Sequence, residues 1–201
     1  MITRLALTNF KNFQRAELSL GPLTVLVGAN ATGKSNLRDA FRFLHGISRG
    51  YGLADIFGDK YVESGVLQWK GIRGGTREAT YNHAKSFTLE VDLDFTELLQ
   101  KGQYRIEVEV GENGKSPGVV SERLILLPGG EVVFESHQKG DPINQTNLRK
   151  MQLKVMNKGR IQTDSGIDAL NIAPVISQLN NFGKLKNSLQ VKSVGGSNKI
   201  V

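Results

Sequence analysis

The run Gly28-Ala29-Asn30-Ala31-Thr32-Gly33-Lys34-Ser35 constrains this chain more than any other stretch in it. Its two glycines let the backbone turn tightly enough for several N–H groups to converge on one anion. Lys34 then adds a point positive charge, and the Ser35 hydroxyl offers an oxygen to a divalent cation held between two phosphates. Such a loop works between a buried strand and a helix. Leu23-Thr24-Val25-Leu26-Val27, following Gly21-Pro22, is aliphatic and β-branched throughout, as a buried strand would be. From Asn36 to His45 the period changes: Leu37, Ala40, Phe41 and Leu44 fall at i, i+3, i+4 and i+7, one apolar stripe of a helix, with Gly46 expected to stop it. The positive end of that helix dipole and its unpaired N–H groups favour an anion at the same point. These residues imply a site for a nucleoside triphosphate with Mg²⁺.

The remaining sequence reads mostly as strands. Ile2 to Thr8 and Gln14 to Leu20 alternate apolar and polar residues on either side of a turn at Lys11-Asn12, flanked by Phe10 and Phe13. Residues 46–66, rich in glycine, are expected to be loop with one short helix. Strands are expected at Leu67 to Lys70, Ser86 to Phe95, Tyr104 to Val110, Val119 to Leu127 and Glu131 to Glu135. Turns at Gly111-Glu112-Asn113-Gly114 and Pro128-Gly129-Gly130 make the last three an antiparallel meander. Beyond residue 139 the chain becomes polar and basic, with helices expected at Ile167 to Leu179 and Phe182 to Leu189. Pro174 would stand at a helix start or a kink, and Val191 to Val201 is aperiodic.

Composition excludes several classes. The chain has 201 residues, enough for one cored domain or one lobe of a larger one. No apolar run approaches the roughly 20 residues that span a bilayer, the N-terminus enters a strand pattern without the basic and apolar regions of a signal peptide, and the lack of cysteine agrees with a reducing cytoplasm. The absence of cysteine excludes a disulfide framework and a thiolate metal site. His45, His83 and His137 show no metal-ligand spacing. The net charge of +7 is uneven: residues 1–138 hold 16 basic and 16 acidic residues, and residues 139–201 hold 10 and 3. A basic segment beside a neutral one fits contact with an anionic polymer, a solvated surface or an acidic partner equally.

Leu7-Thr8-Asn9-Phe10-Lys11-Asn12-Phe13 resembles the L-x-N-F-[RK]-x-F opening of RecF- and SMC-type ATPases, whose relatives include ATP-binding proteins that accompany OLD-type nucleases. Gly28 to Ser35, continuing Asn36-Leu37-Arg38-Asp39-Ala40-Phe41-Arg42-Phe43-Leu44, is similar to that family's G-x-N-x-x-G-K-S-N-L-x-D-A-x-R-F-L. The resemblance is sharp over residues 2–45, architectural to 135 and faint beyond. It implies an α/β P-loop NTPase fold, the first lobe of an ABC-type ATPase head with a large antiparallel β block. The expected organisation is an ATP-binding lobe over 1–138, then a basic, partly helical segment over 139–201 that begins a truncated second part. The site residues it implies are Gly28, Asn30, Ala31, Thr32, Gly33, Lys34, Ser35 and Asn36 for ATP, with Ser35 also on Mg²⁺. Lys11 would be the family's basic residue beside the nucleotide, or else an exposed turn lysine. The implied partners are a second head or ATPase lobe, with a homodimer, DNA and a nuclease in view.

Hydrolysis requires a carboxylate to orient the attacking water, which the family places after a hydrophobic strand ending in Asp-Glu. Leu124 to Leu127 is such a strand but runs into Pro128, and the acids of Glu90, Asp92 and Asp94 alternate as on a half-exposed sheet. Ser193-Val194-Gly195-Gly196-Ser197 is only faintly similar to a signature loop. The catalytic residue therefore stays unassigned, and turnover is expected to need a second lobe and dimerisation. The alternative is a non-hydrolysing, ATP-switched module that binds nucleic acid. A transporter subunit fits poorly with the Asn9-Phe10-Lys11 opening and the long strand block.

Overall fold

Period-2 burial, repeated strand after strand, organises the molecule around one sheet. A computed structural model of the chain describes residues 1–95, 100–111, 116–140, 148–157, 160–164 and 169–176. Its strands are β1 (Ile2–Phe10), β2 (Phe13–Ser19), β3 (Lys60–Tyr61), β4 (Leu67–Trp69), β5 (Ser86–Phe95), β6 (Gln100–Glu109), β7 (Gly118–Leu127), β8 (Glu131–Lys139), β9 (Lys150–Asn157) and β10 (Arg160–Asp164). Eight of them form a sheet in the order β10-β9-β8-β7-β6-β5-β1-β2, antiparallel at every pairing, while β3 and β4 pair separately. Leu5 stands opposite Val91, Leu7 opposite Leu89, and Leu89 opposite Ile106, so the apolar residues line up across strands on one face. All of these side chains are buried. A one-residue slip would turn each of them to the other face, which is why the register is fixed.

Helix α1 (Lys34–Ser48) covers that face with Ala40, Phe43 and Ile47, and the short α2 (Leu53–Phe57) adds Leu53, Ile56 and Phe57. Phe43 meets Phe87 of β5 edge-on at 5.4 Å between ring centres and Phe57 at 5.7 Å, and Phe87 meets Phe10 at 5.1 Å. Each such pair contributes about 1 kcal/mol beyond the area it buries. The helix is longer than its stripe suggested. Gly46 does not stop it but lies inside it, where an added Cβ would stand 2.7 Å from Ile56 Cγ1, so its smallness is what lets α2 approach.

Three further differences from the sequence reading have physical causes. Leu23 to Val27 opens on a bend and joins no sheet, and Leu23, Val25 and Val27 are 85%, 71% and 90% exposed. All strands of the main sheet pair antiparallel with their neighbours, and none of the described strands lies beside this run to cover it. β4 belongs to the small sheet rather than the main one. The main sheet also continues past residue 138, because β8 pairs with β9 in the register Ser136 to Leu153 and Gln138 to Met151. The helix expected over Ile167 to Leu179 does not form across Ala169 to Pro174, whose backbone is spent on a bridge to Lys150 and a turn, and only Val175 and Ile176 are helical. The helix expected at Phe182 to Leu189, the tail from Val191 and most of the turn at Gly111 to Gly114 lie outside the described residues.

Residues 169–176 cross the covered face as a strap. Val119 N–H donates to the Asn171 carbonyl at 2.7 Å, Met151 N–H to that of Ala169 at 2.9 Å and Leu53 N–H to that of Ile172 at 2.9 Å. Pro174 stands just before a helical turn at Val175 and Ile176. Both N–H groups of that turn donate to the fully buried carboxylate of Glu122 on β7, at 2.5 and 3.1 Å, and the Tyr104 hydroxyl donates to it at 2.9 Å. Burial pushes the Glu122 carboxyl up to about 7, against the opposing pull of these three donors.

Candidate phosphate-binding site

The loop between Val27 and α1 closes around the positions its sequence marks. Gly33 adopts φ +99° and caps α1, its carbonyl accepting from Asn36 N–H at 2.9 Å and Leu37 N–H at 3.0 Å. A side chain is excluded there twice over: positive φ disfavours it, and an added Cβ would lie 2.7 Å from the Phe13 ring. Ala31 also takes positive φ, 65°. The Thr32 hydroxyl donates back to the Ala29 carbonyl at 2.9 Å. Lys34 folds over the loop, its Nζ donating to the Gly28 and Ala29 carbonyls at 2.5 Å each. An ammonium held by loop carbonyls already stands where the backbone wraps, and phosphate oxygens can take those same hydrogens.

A cavity of about 220 Å³ opens here, lined by Asn30, Ala31, Gly33, Lys34, Ser35, Asn36 and Arg73. Of the sequence-derived site residues, Gly28 and Thr32 support the loop from behind this lining, where an added Cβ on Gly28 would stand 3.0 Å from the Thr32 hydroxyl. Ser35 lines the cavity, and its hydroxyl fits a Mg²⁺ ligand, since that ion takes one or two protein oxygens and completes its shell with phosphate and water. Among the described residues no group of three or more His, Asp or Glu side chains could hold a metal alone.

Lys11 is not part of that lining. It turns inward with its side chain 5% exposed, donates to the Arg73 carbonyl, and stands 3.9 Å from Asp39 Oδ2. Burial pulls the Lys11 ammonium below its usual range, countered by Asp39 and Glu78. The cation that joins Lys34 in lining the cavity is Arg73. Its Nε and Nη2 each reach Asp39 Oδ2 at 3.0 Å, and Nη2 donates to Asn36 Oδ1 at 2.8 Å. Asn36 in turn donates to Asn12 Oδ1 at 2.7 Å. The β1–β2 turn thus braces the loop through three consecutive residues: Lys11 toward Asp39, Asn12 to Asn36, and Phe13 against Gly33.

The acids of β5 serve the sheet rather than a water. Glu90 and Asp92 lie 2.9 and 3.5 Å from Arg4, and Asp92 accepts from Gln103 at 3.0 Å. Neither lines the cavity.

Taken together, a glycine-bounded loop capping a helix, with a lysine and a serine at its mouth, defines a P-loop NTPase lobe carrying a large antiparallel sheet. The family model described as "AAA domain, putative AbiEii toxin, Type IV TA system" matches residues 23–129, more than half of the chain, and the chain belongs to that family. It is also similar to the DNA replication and repair protein RecF of Paenarthrobacter aurescens (strain TC1), 44% identical over 48 residues. That match covers 23% of this chain and only 12% of the RecF protein. Membership makes this a nucleotide-binding fold of the AAA ATPase type. No helix among the described residues is long and apolar enough to cross a membrane.

Proposed function

We propose that the chain binds Mg-ATP as the first lobe of a RecF/SMC-like ATPase linked to DNA repair, recombination or defence against foreign DNA. The observation that carries this reading is the convergence of Lys34, Ser35, Asn36 and Arg73 on one cavity under a preformed loop. The backbone N–H groups of the loop and Lys34 would hold the phosphates, Ser35 would ligate Mg²⁺, and Arg73 would add a second cation. When bound, Mg²⁺ offsets phosphate charge. The chain's own residues orient the phosphates and set their distance from the helix N-terminus.

Turnover on this reading waits for a second lobe and for dimerisation with a homologous head. The exposed run Leu23 to Val27 supports this, because none of its backbone N–H or C=O groups is paired with a strand among the described residues. A continuous aliphatic and β-branched run is what a central parallel strand requires, buried by neighbours on both faces. Calorimetric titration of the purified chain with Mg-ATP tests the reading: binding is expected, and Lys34→Ala should abolish it. Equal affinity in parent and Lys34→Ala would sink it.

A second reading, an ATP-switched nucleic-acid module, is favoured by one observation. β9 buries Met151 and Leu153 and so turns Lys150 and Lys154 to the opposite face, within the basic part of the chain. DNA binding on that face would weaken steeply with salt through counterion release. Affinity unchanged in Lys150→Glu/Lys154→Glu would remove that surface from consideration. A nuclease partner is proposed only as an extension of the defence role.

A further inference from the structure

The side chain of Asp39 lies one turn behind Ser35 on α1, wholly buried, and two cations reach for it. Arg73 holds Oδ2 with Nε and Nη2 at 3.0 Å each, yet its own side chain is 47% exposed and lines the phosphate cavity. Lys11 stands at 3.9 Å from the same oxygen, too far for a hydrogen bond, and is itself buried. Oδ1 has no hydrogen-bond partner. One carboxylate is therefore served by a half-exposed cation facing the cavity and an enclosed cation standing behind it.

Resting on the reading that this cavity takes nucleotide phosphate, we propose that Asp39 is a positioning residue exchanged between two cations: it holds Arg73 at the cavity mouth, and it passes to Lys11 when phosphate draws the guanidinium forward. The exchange follows from charge balance. A phosphate offers Arg73 a two-point contact that a single carboxylate oxygen does not. Leaving a buried carboxylate without a cation is strongly unfavourable, so Arg73 can leave only if another positive charge closes in. Lys11 needs to advance by about 1 Å to reach hydrogen-bond distance, and the unpartnered Oδ1 gives it a place to land. Because Lys11 sits in the turn whose Asn12 and Phe13 brace the loop, filling the cavity would reach the β1–β2 turn directly.

The test is a double-mutant cycle on the full chain, with Mg-ATP affinity measured by calorimetry in Lys11→Met, Arg73→Ala and the double variant. Arg73→Ala is expected to weaken binding about tenfold, as loss of one charged phosphate contact does. Lys11→Met should weaken it about fivefold although Lys11 does not line the cavity, and should add nothing once Arg73 is already alanine. Additive losses, or Lys11→Met binding as the parent does, would overturn the exchange. If Arg73→Ala does not fold, Arg73→Gln, which keeps a hydrogen-bond donor but no charge, takes its place in the cycle with the same criterion. Lys34→Ala runs alongside: affinity that ignores Lys34 overturns the nucleotide reading, whereas Lys34-dependent affinity that ignores Lys11 overturns this proposal alone.

Discussion

Glu122→Gln should change how the fold responds to pH, and the size of the effect can be worked from the surroundings of this one side chain. Glu122 lies on β7 opposite Ile106, facing the core, and its carboxylate accepts from Tyr104 O–H and from the N–H groups of Val175 and Ile176. None of these donors carries a charge. Burial dominates, and the carboxyl is pushed from the ordinary 4.5 up to about 7. At about 1.4 kcal/mol per unit, that rise of roughly 2.5 units corresponds to about 3 kcal/mol between the protonation states. The folded pKa lies above the unfolded one, so the native state binds the extra proton between those two values. The contribution is fully present below pH 4.5 and is lost as pH rises toward 7, after which the curve is flat in this group.

Glutamine copies the neutral acid in shape and removes the titration. Urea unfolding of parent and Glu122→Gln, followed by circular dichroism from about pH 5 to about pH 8, should give curves that nearly meet at the acid end. They should separate as pH rises, with the variant ahead by about 2 kcal/mol at the alkaline end once an amide N–H lacking an acceptor is allowed its cost of about 1 kcal/mol. Tyr104, whose hydroxyl is raised well above its usual range by burial and by Glu122, does not titrate in this window. Parallel curves across the whole range would refute the reasoning, because they would mean that Glu122 keeps one charge state throughout.

Two further substitutions follow from the packing. Gly33→Ala should abolish Mg-ATP binding in the same calorimetric titration, since its φ of +99° and the Phe13 ring both exclude a methyl; parental affinity would show that the loop does not hold this shape. Phe43→Ala should lower the unfolding free energy by about 3–5 kcal/mol in urea, as the ring is fully buried against both Phe57 and Phe87; a loss below about 1 kcal/mol would mean that the core refills.

Local period and turn chemistry made most of the elements legible. β1, β2, β5 and β7 follow the alternation of their own residues, and α1 forms where its period placed it, although its buried face runs through Ala40, Phe43 and Ile47 and leaves Leu37, Phe41 and Leu44 only partly buried. β9 carries the same alternation in Met151, Leu153 and Val155, but the lysines set between them give the segment the look of a charged surface instead of a strand. What a linear reading could not supply is the identity of spatial neighbours. Leu23 to Val27 has the composition of a buried strand, and composition says nothing about whether covering strands are at hand. Arg73 lay in plain view among Gly71, Gly74 and Gly75, yet it is 37 residues from the Asn36 it bonds, and only the fold brings the two together.

The Phe10-Lys11-Asn12-Phe13 turn packs against the residues around the glycine loop without lining the cavity. Resemblance placed Lys11 beside the nucleotide as a cation. In the fold the turn lies behind the loop, and its four residues divide the mechanical work. Phe10 enters the core against Phe87, Lys11 approaches Asp39, Asn12 ties Asn36, and Phe13 closes over Gly33. Positive φ at Asn9 and Lys11, 53° and 55°, bends the chain sharply enough to bring all four within reach. A loop that must hold several N–H groups at fixed angles around an anion would otherwise be as loose as its glycines allow. The stiffness that phosphate binding needs is therefore supplied from outside the loop, by a hairpin about 20 residues earlier in the chain. That division of labour joins the opening hairpin and the glycine loop in one packed unit, although the family match begins only at residue 23.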